Sequence, residues 1–131
     1  MKQKIVISIN PEYVKKIISG EKKYEYRTKA AKHDIDKIII YETTPVKKIV
    51  AEAEILEVLK MSPRDLWEKT KKESGITKKI FINYFKGREV ACAYKLGKIT
   101  VYENPLELSE LGIKTAPQSF IYINTSAVYN I

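Results

Sequence analysis

The sequence predicts an α+β fold: a small, curved, mostly antiparallel sheet of six or seven strands, open or closed into a barrel, with short helices. Short apolar runs with a period of two recur along most of the chain. Three amphipathic segments with helix-start signals lie between these runs. The length of 131 residues suits one core, so we expect a single domain over residues 1–131.

The first half of the chain is predicted to contain four strands and one helix. A strand at 5–9 is followed by an Asn-Pro pair, which can cap a helix that stops at Gly20. Strands are expected at 23–28, where polar and aromatic residues alternate, and at 37–43, where a continuous apolar centre indicates burial on both faces. Small and β-branched residues alternate with glutamates at 47–59, which is typical of a strand with one wet face.

The second half begins with two short helices inserted between strands. Ser62 opens the first with a near-complete capping box, and Thr77 opens the second. Gly97-Lys98 is predicted to turn the chain between two strands of a hairpin. The expected elements are helices at 62–75 and 77–87, strands at 90–96 and 99–102, a helical turn at 105–112 and a last strand at 120–123.

Basic side chains outnumber acidic ones by 24 to 16, for a net charge of +8. Residues 1–48 hold twelve basic and six acidic side chains, so this segment alone carries +6. Such an excess favours a polyanionic partner, above all RNA or DNA, through phosphate neutralisation and counterion release. The alternative is a lysine-rich, solvated surface that keeps the protein soluble.

The scarcity of cysteine and histidine and the lack of long apolar runs disfavour several classes of protein. With Cys92 as the only cysteine and His33 as the only histidine, neither an internal disulfide nor a structural zinc site is expected, and we expect no metal and no cofactor. Cys92 suits a core position and His33 a surface loop. No apolar run is long enough to span a bilayer, so we expect a cytoplasmic protein, monomeric or homodimeric, without membrane contact.

Residues 20–27, Gly-Glu-Lys-Lys-Tyr-Glu-Tyr-Arg, concentrate the side chains that could do chemistry. On a strand, Lys23, Glu25 and Arg27 share one face and the two tyrosines share the other. With Lys22 at its entrance, this strand can present both charge signs to a ligand that has phosphate groups and base edges. The alternative is an exposed Glu-Arg pair on a solvated face, worth about 0 to 1 kcal/mol.

The pattern Gly-x-Lys-x-x-Glu-x-Arg, after a strand and an Asn-Pro-capped helix, resembles the signature of the ASCH domain. That family is a branch of the PUA-like β-barrel superfamily of RNA-binding modules. Nearly the whole chain takes part in the resemblance, which therefore implies a small PUA-like barrel. The matching residues are Gly20, Lys22, Glu25 and Arg27, with further similarity at Ile38-Ile39-Ile40-Tyr41, Pro45-Val46 and Ala116-Pro117-Gln118-Ser119-Phe120.

The resemblance also implies a cleft beside the barrel that binds RNA or a nucleotide, in RNA metabolism or translation-linked regulation. Lys22 and Arg27 could hold a phosphate or a carbonyl oxygen, and Glu25 could accept from an exocyclic amine or orient Arg27. Gln118 and Ser119, just before the last strand, could add base-edge contacts, or they could be ordinary polar capping. Lys23 is the remaining candidate for ligand contact.

An enzymatic branch of ASCH-like proteins removes the acetyl group from N4-acetylcytidine. It has a lysine at the position of Lys22, a threonine three residues later and a downstream glutamate. Here Glu25 replaces the threonine, and no convincing match for the glutamate is present. If the chain is an enzyme, Lys22 and Glu25 are the candidate catalytic residues, because a desolvated lysine beside a carboxylate can transfer protons.

Three functional classes thus stay open on the sequence. RNA or nucleotide binding leads. A small amidohydrolase or RNA-processing enzyme that uses the same cleft is the first alternative, and a protein-interaction domain with an incidental basic surface is the second.

Overall fold

Six strands form one open sheet in the computed structural model of the protein, which describes residues 3–32 and 34–123. Their order across the sheet is β2-β5-β4-β3-β1-β6, and each neighbouring pair is antiparallel except β1 and β3. This arrangement confirms the predicted α+β class in its open form. The strands are β1 (Gln3–Ile9), β2 (Tyr24–Arg27), β3 (Ile35–Glu42), β4 (Lys48–Met61), β5 (Ala91–Leu106) and β6 (Phe120–Ile123).

The helices begin where their capping residues predict. Pro11 occupies the first turn of one, and the hydroxyls of Ser62 and Thr77 each accept a backbone N–H at 3.2 Å at the starts of the others. None of the helices in the described ranges is long and apolar enough to cross a membrane. They are α1 (Pro11–Ser19), α2 (Pro63–Thr70) and α3 (Lys78–Tyr84), with 3-10 helices at Lys71–Glu73 and Leu108–Leu111.

The helix expected to reach Gly75 ends at Thr70 and continues as a 3-10 helix. The Thr70 hydroxyl donates to the carbonyl oxygen of Leu66, and the Ser74 hydroxyl donates to the carbonyl oxygen of Ile76 at 2.9 Å. Side-chain bonds of this kind compete with the helical pattern of backbone bonds. The chain then turns at Gly75, where φ is +70°.

The hairpin predicted at Gly97-Lys98 is wrong, because β5 runs through both residues as one strand of 16 residues. Gly97 does not have the positive φ of a tight turn. A Cβ atom on Gly97 would lie 2.8 Å from Cδ2 of Leu56 on β4, so the glycine allows a close approach of paired strands. Gly97 therefore lies where the pairing of β4 and β5 is irregular and its register shifts.

Both faces of the sheet are covered by apolar side chains. Val14 and Ile17 of α1 pack on the face that carries Ile38 and Ile40, whereas Ile39 faces the opposite cluster. The predicted burial of the centre of β3 on both faces is confirmed, with each of these three isoleucines 1% exposed. A third cluster joins β2, β4 and β5 to α2 and α3. The helices thus contribute to two different clusters, α1 to the first and α2 and α3 to the third.

The sheet curls strongly enough to bring β2 back towards β1. Three strands separate the two in the sheet order. Even so, Nη2 of Arg27 on β2 donates to the carbonyl oxygen of Ser8 on β1 at 3.0 Å. One side chain thus bridges the gap that a closed barrel would fill with strand pairing.

Candidate functional site

A cleft of about 310 Å³ opens where the curled sheet brings β1 close to β2, between α1 and the segment that leads into α3. Its lining includes three charged side chains, Lys22, Glu25 and Arg27, which are the residues that the sequence pattern singled out. Three tyrosines, three isoleucines, one asparagine and one serine of the neighbouring elements contribute to its walls. The volume lies at the lower end of the range of ligand pockets in proteins.

Glu25 and Arg27 form an ion pair inside this cleft. Nε and Nη2 of Arg27 both donate to Oε2 of Glu25, at 3.0 and 2.7 Å. The two residues are neighbours on one face of β2 because strand side chains alternate with a period of two. Their side chains are 8% and 14% exposed, respectively, so this is not the exposed surface pair of the alternative interpretation. Such a buried pair fixes geometry more than it adds stability.

Lys22 is almost completely buried at the base of the cleft, with 3% of its surface exposed. Its Nζ donates to the carbonyl oxygen of Ser74 at 2.9 Å and lies 4.8 Å from the centre of the Tyr26 ring. Burial lowers the pKa of Lys22 to about 8, and the positive charges of Lys16 and Arg27 lower it further against the attraction of Glu25. An ammonium with this pKa can both bind an anion and exchange a proton near neutral pH.

Local backbone geometry explains why Lys22 points inward. Gly20 ends α1 in the left-handed conformation, with φ of 86°. The backbone N–H of Lys22 then donates to the carbonyl oxygen of Lys16 at 2.9 Å, so the chain turns back along the helix before β2 begins. The spacing from the glycine to the lysine therefore sets where the ammonium enters the cleft.

Three tyrosines complete the cleft. Tyr26 is 6% exposed and its hydroxyl lies 2.7 Å from Oγ1 of Thr70, while burial raises its pKa to about 12. Tyr13 of α1 lies under Lys22, with 5.6 Å between its ring centre and Nζ. Tyr84 of α3 is 45% exposed at the mouth. Tyr13 and Tyr84 belong to amphipathic helices, and only the folded chain shows that both line the same cleft.

Three predicted ligand contacts do not line this cleft. Lys23 is exposed and pairs with Glu73 at 3.0 Å, and Gln118 and Ser119 are exposed at the start of β6. The hydroxyl of Ser8, a residue of the cleft wall, donates at 2.7 Å to the carbonyl oxygen of the proline before Gln118. The segment is thus attached beside the cleft, and ligand contact by these three side chains stays a prediction.

Metal-binding groups are sparse in the part of the chain that the structure describes. No cluster of three or more His, Cys, Asp or Glu side chains is placed to hold a metal ion there. Cys92 is buried in β5, as expected for a core residue. His33 lies outside the described residues.

The fold and the motif together define the class of protein. The family model of the ASCH domain matches residues 7–111, and the chain therefore belongs to the ASCH domain family, within the PUA-like superfamily. An ASCH domain-containing ribonuclease from Zymomonas mobilis is 31% identical over 96 residues, which make up 72% of this chain and 65% of that protein.

Two longer relatives come from Ureaplasma parvum. A protein named ATP synthase subunit alpha is 28% identical over 123 residues, and one named large ribosomal subunit protein uL22 is 29% identical over 120 residues. The matches cover 93% and 91% of this chain but only 15% and 39% of those proteins. The chain thus spans a minor part of each.

Solved structures agree with the family assignment. The crystal structure of ASCH from Zymomonas mobilis superposes with a TM-score of 0.87 at 26% identity, covering 96% of this chain and 91% of that one. A point variant of the same protein gives a TM-score of 0.88 at 25% identity, covering 98% and 96%. The N-terminal domain of Staphylothermus marinus McrB, at 15% identity and a TM-score of 0.58, shares the fold alone.

Proposed function

We propose that this chain binds RNA or a nucleotide in the cleft built around Lys22, Glu25 and Arg27. The observation that supports the proposal is that one cleft with aromatic walls contains the buried ammonium of Lys22 and the guanidinium of Arg27, whose Nη1 is not used by its bonds to Glu25 and Ser8. The ribonuclease from Zymomonas mobilis, an ASCH relative, acts on RNA by its name. That relationship favours RNA over other anions.

The donors of the cleft suit a phosphate or a carbonyl oxygen. Nε and Nη2 of Arg27 donate to Glu25, and Nη2 also donates to the carbonyl oxygen of Ser8. These bonds do not use Nη1. Lys22 donates one of its three protons to Ser74. Two cations and one carboxylate leave the cleft with a net positive charge, and charge-assisted bonds to an anionic oxygen are the strong ones.

The aromatic walls suit a nucleobase. Tyr84 is exposed at the mouth, and Tyr13 is partly exposed with its ring centre 5.6 Å from Nζ of Lys22. Stacking of a base on a tyrosine contributes about 1 to 3 kcal/mol and tolerates any base sequence. A bound nucleotide could therefore place its base against a tyrosine and an oxygen near Lys22.

Titration of fluorescein-labelled single-stranded RNA tests this proposal. For the wild type, affinity should fall with salt at a log-log slope of about −0.7 for each neutralised phosphate. Lys22→Met should weaken binding about tenfold or more, because it removes a charge-assisted contact. Lys98→Met is the matched control, since Lys98 is exposed and does not line the cleft. Equal losses in the two variants would contradict binding in this cleft. No binding of any RNA at low salt would contradict RNA as the ligand and favour a free nucleotide or a protein partner.

A second candidate function is RNA processing, with Lys22 transferring a proton. The lowered pKa of Lys22, about 8, favours it, as does the name of the ribonuclease relative. Incubation of labelled RNA with wild type and Lys22→Met, followed by gel electrophoresis, separates the two functions. Cleavage that depends on Lys22 would make the enzyme the leading proposal, whereas equal, trace cleavage would leave a binding protein.

Deacetylation of N4-acetylcytidine is tested in the same way, by chromatography of the free nucleoside. Glu25 stands where the deacetylating branch has a threonine, and one of its two carboxylate oxygens is occupied by Arg27. We therefore expect no release above that of Lys22→Met. Lysine-dependent release would show that the departure from the motif does not matter.

A further inference from the structure

The segment between α2 and α3 contacts the cleft lysine through its backbone. Three successive carbonyl oxygens of this segment accept hydrogen bonds from residues of α1 and the start of β2. Glu73 accepts from the backbone N–H of Lys23 at 2.9 Å, and Ser74 accepts from Nζ of Lys22 at 2.9 Å. Gly75 accepts from Nζ of Lys16 at 3.0 Å. The stretch 73–75 thus lies directly against the entrance of β2.

Gly75 makes the closest of these approaches. A Cβ atom built on it would lie 2.4 Å from Cβ and 2.6 Å from Cγ of Lys22, which is closer than carbon atoms can pack. Three other glycines also have positive φ, but a Cβ atom on any of them would meet nothing within 4 Å: Gly20, Gly87 and Gly112. The left-handed conformation therefore does not by itself explain why residue 75 must lack a side chain.

We propose that Gly75 is a positioning residue for Lys22. Because it has no side chain, the 73–75 segment closes on the lysine stem. The Ser74 carbonyl can then hold the ammonium at the base of the cleft. Any larger residue at position 75 would push the segment and the stem apart and release the ammonium towards water.

The geometry distinguishes this role from an ordinary turn glycine. Gly75 and Gly87 have φ of +70° and +77°, so an alanine at either position bears a similar backbone strain. Only the alanine at 75 meets Lys22. Gly87→Ala is thus a matched control for Gly75→Ala.

NMR titration of the lysine side chains tests the positioning in the free protein. The Lys22 resonance is assigned with Lys22→Met. In the wild type and in Gly87→Ala, Lys22 should titrate with a pKa of about 8. In Gly75→Ala its pKa should move up towards the ordinary 10.5, because the ammonium gains water. A Lys22 pKa in Gly75→Ala equal to that in Gly87→Ala would overturn the proposal.

The consequence for ligand rests on the proposed RNA binding, and the two can fail separately. Gly75→Ala should lose about as much RNA affinity as Lys22→Met, roughly tenfold, while Gly87→Ala stays near the wild type. If the wild type binds no RNA, the proposed RNA binding fails, but the NMR titration still decides the role of Gly75. If RNA binds and Gly75→Ala retains full affinity, the positioning role is contradicted.

A second pair of variants covers the case in which Gly75→Ala fails to fold. Lys22→Gly removes the atoms that the new methyl group would meet. In that background, Gly75→Ala should lower the thermal midpoint by no more than Gly87→Ala does. A penalty at position 75 that persists without the lysine stem would show that the glycine serves another contact.

Discussion

Two charge clusters lie partly buried in this protein, and they differ in what they leave open. The outer cluster consists of Lys37 on β3, Glu52 on β4 and Tyr102 on β5. Glu52 accepts from Lys37 at Oε2 and from the Tyr102 hydroxyl at Oε1, at 2.6 and 3.0 Å. Both of its oxygens are thus engaged. In the cleft, Arg27 binds only Oε2 of Glu25. The carboxylate of the outer cluster is therefore fully engaged by its own partners. In the cleft cluster of Lys22, Glu25 and Arg27, these bonds do not use Nη1 of Arg27 or Oε1 of Glu25.

The pKa values of the two clusters follow the same division. Burial would raise the pKa of Glu52, but the hydrogen bonds from Lys37 and Tyr102 outweigh it, and the pKa is lowered. In the cleft, burial of Lys22 prevails over the attraction of Glu25, and the lysine pKa falls to about 8. In the outer cluster the partners of Glu52 stabilise its charged form in the folded chain. In the cleft, the burial of the Lys22 ammonium lowers the stability of the folded chain. Such costs are typical of functional sites.

The largest expected effect comes from removing one partner of each cluster. Glu25→Ala should lower the free energy of unfolding by about 3 kcal/mol, because it leaves the Arg27 guanidinium buried without its carboxylate. Glu52→Ala should cost about 1 to 2 kcal/mol, since Lys37, which is 32% exposed, can turn to water. Urea denaturation of both variants measures the difference. Equal costs would show that the cleft pair is no more dependent on its partner than the outer one.

Lys22→Met should stabilise the protein by about 2 kcal/mol at pH 7, as the buried charge is removed at the loss of one hydrogen bond. The pKa of Lys22 is about 8 in the folded chain and 10.5 ordinarily. The unfolded chain therefore binds the extra proton between these values. Wild-type stability should thus rise relative to Lys22→Met as the pH increases from about 8 to 10.5. Thermal melts across this range measure it, and a constant difference would mean that the ammonium is not desolvated.

The smallest effect is expected at the edge of the outer cluster. Tyr102→Phe removes the hydroxyl that donates to Glu52 and should cost about 1 kcal/mol. RNA affinity should not change, because the tyrosine does not line the cleft. Urea denaturation and RNA titration of the same variant test both statements. A loss of affinity would connect the two clusters and weaken the contrast between them.

Much of the fold could be predicted because local signals and the tertiary structure agree. The Asn-Pro start of α1, the capping hydroxyls of Ser62 and Thr77, and the apolar centre of β3 each indicate one outcome. The clearest exception is Gly97, where a glycine in an alternating pattern suggested a turn. Its role is a contact with Leu56 on another strand, which no local pattern contains.

The three charged residues of the candidate site could be grouped from the sequence. Their spacing puts Lys22 at the entrance of a strand and Glu25 and Arg27 on one face of it. What the spacing could not show is the packing around them. The carbonyl of Ser74 is 52 residues from Lys22 in sequence, and nothing near either residue indicates their bond. Burial by distant elements, and hence the lowered pKa, follows only from the folded chain.

The central claim is that the cleft cluster binds the ligand and the outer cluster does not. Titration of labelled single-stranded RNA with wild type, Lys22→Met and Lys37→Met at physiological salt tests it most directly, because each variant removes one cation from one cluster. We predict a loss of about tenfold or more for Lys22→Met and about twofold or less for Lys37→Met. Comparable losses, or a larger loss for Lys37→Met, would contradict the account.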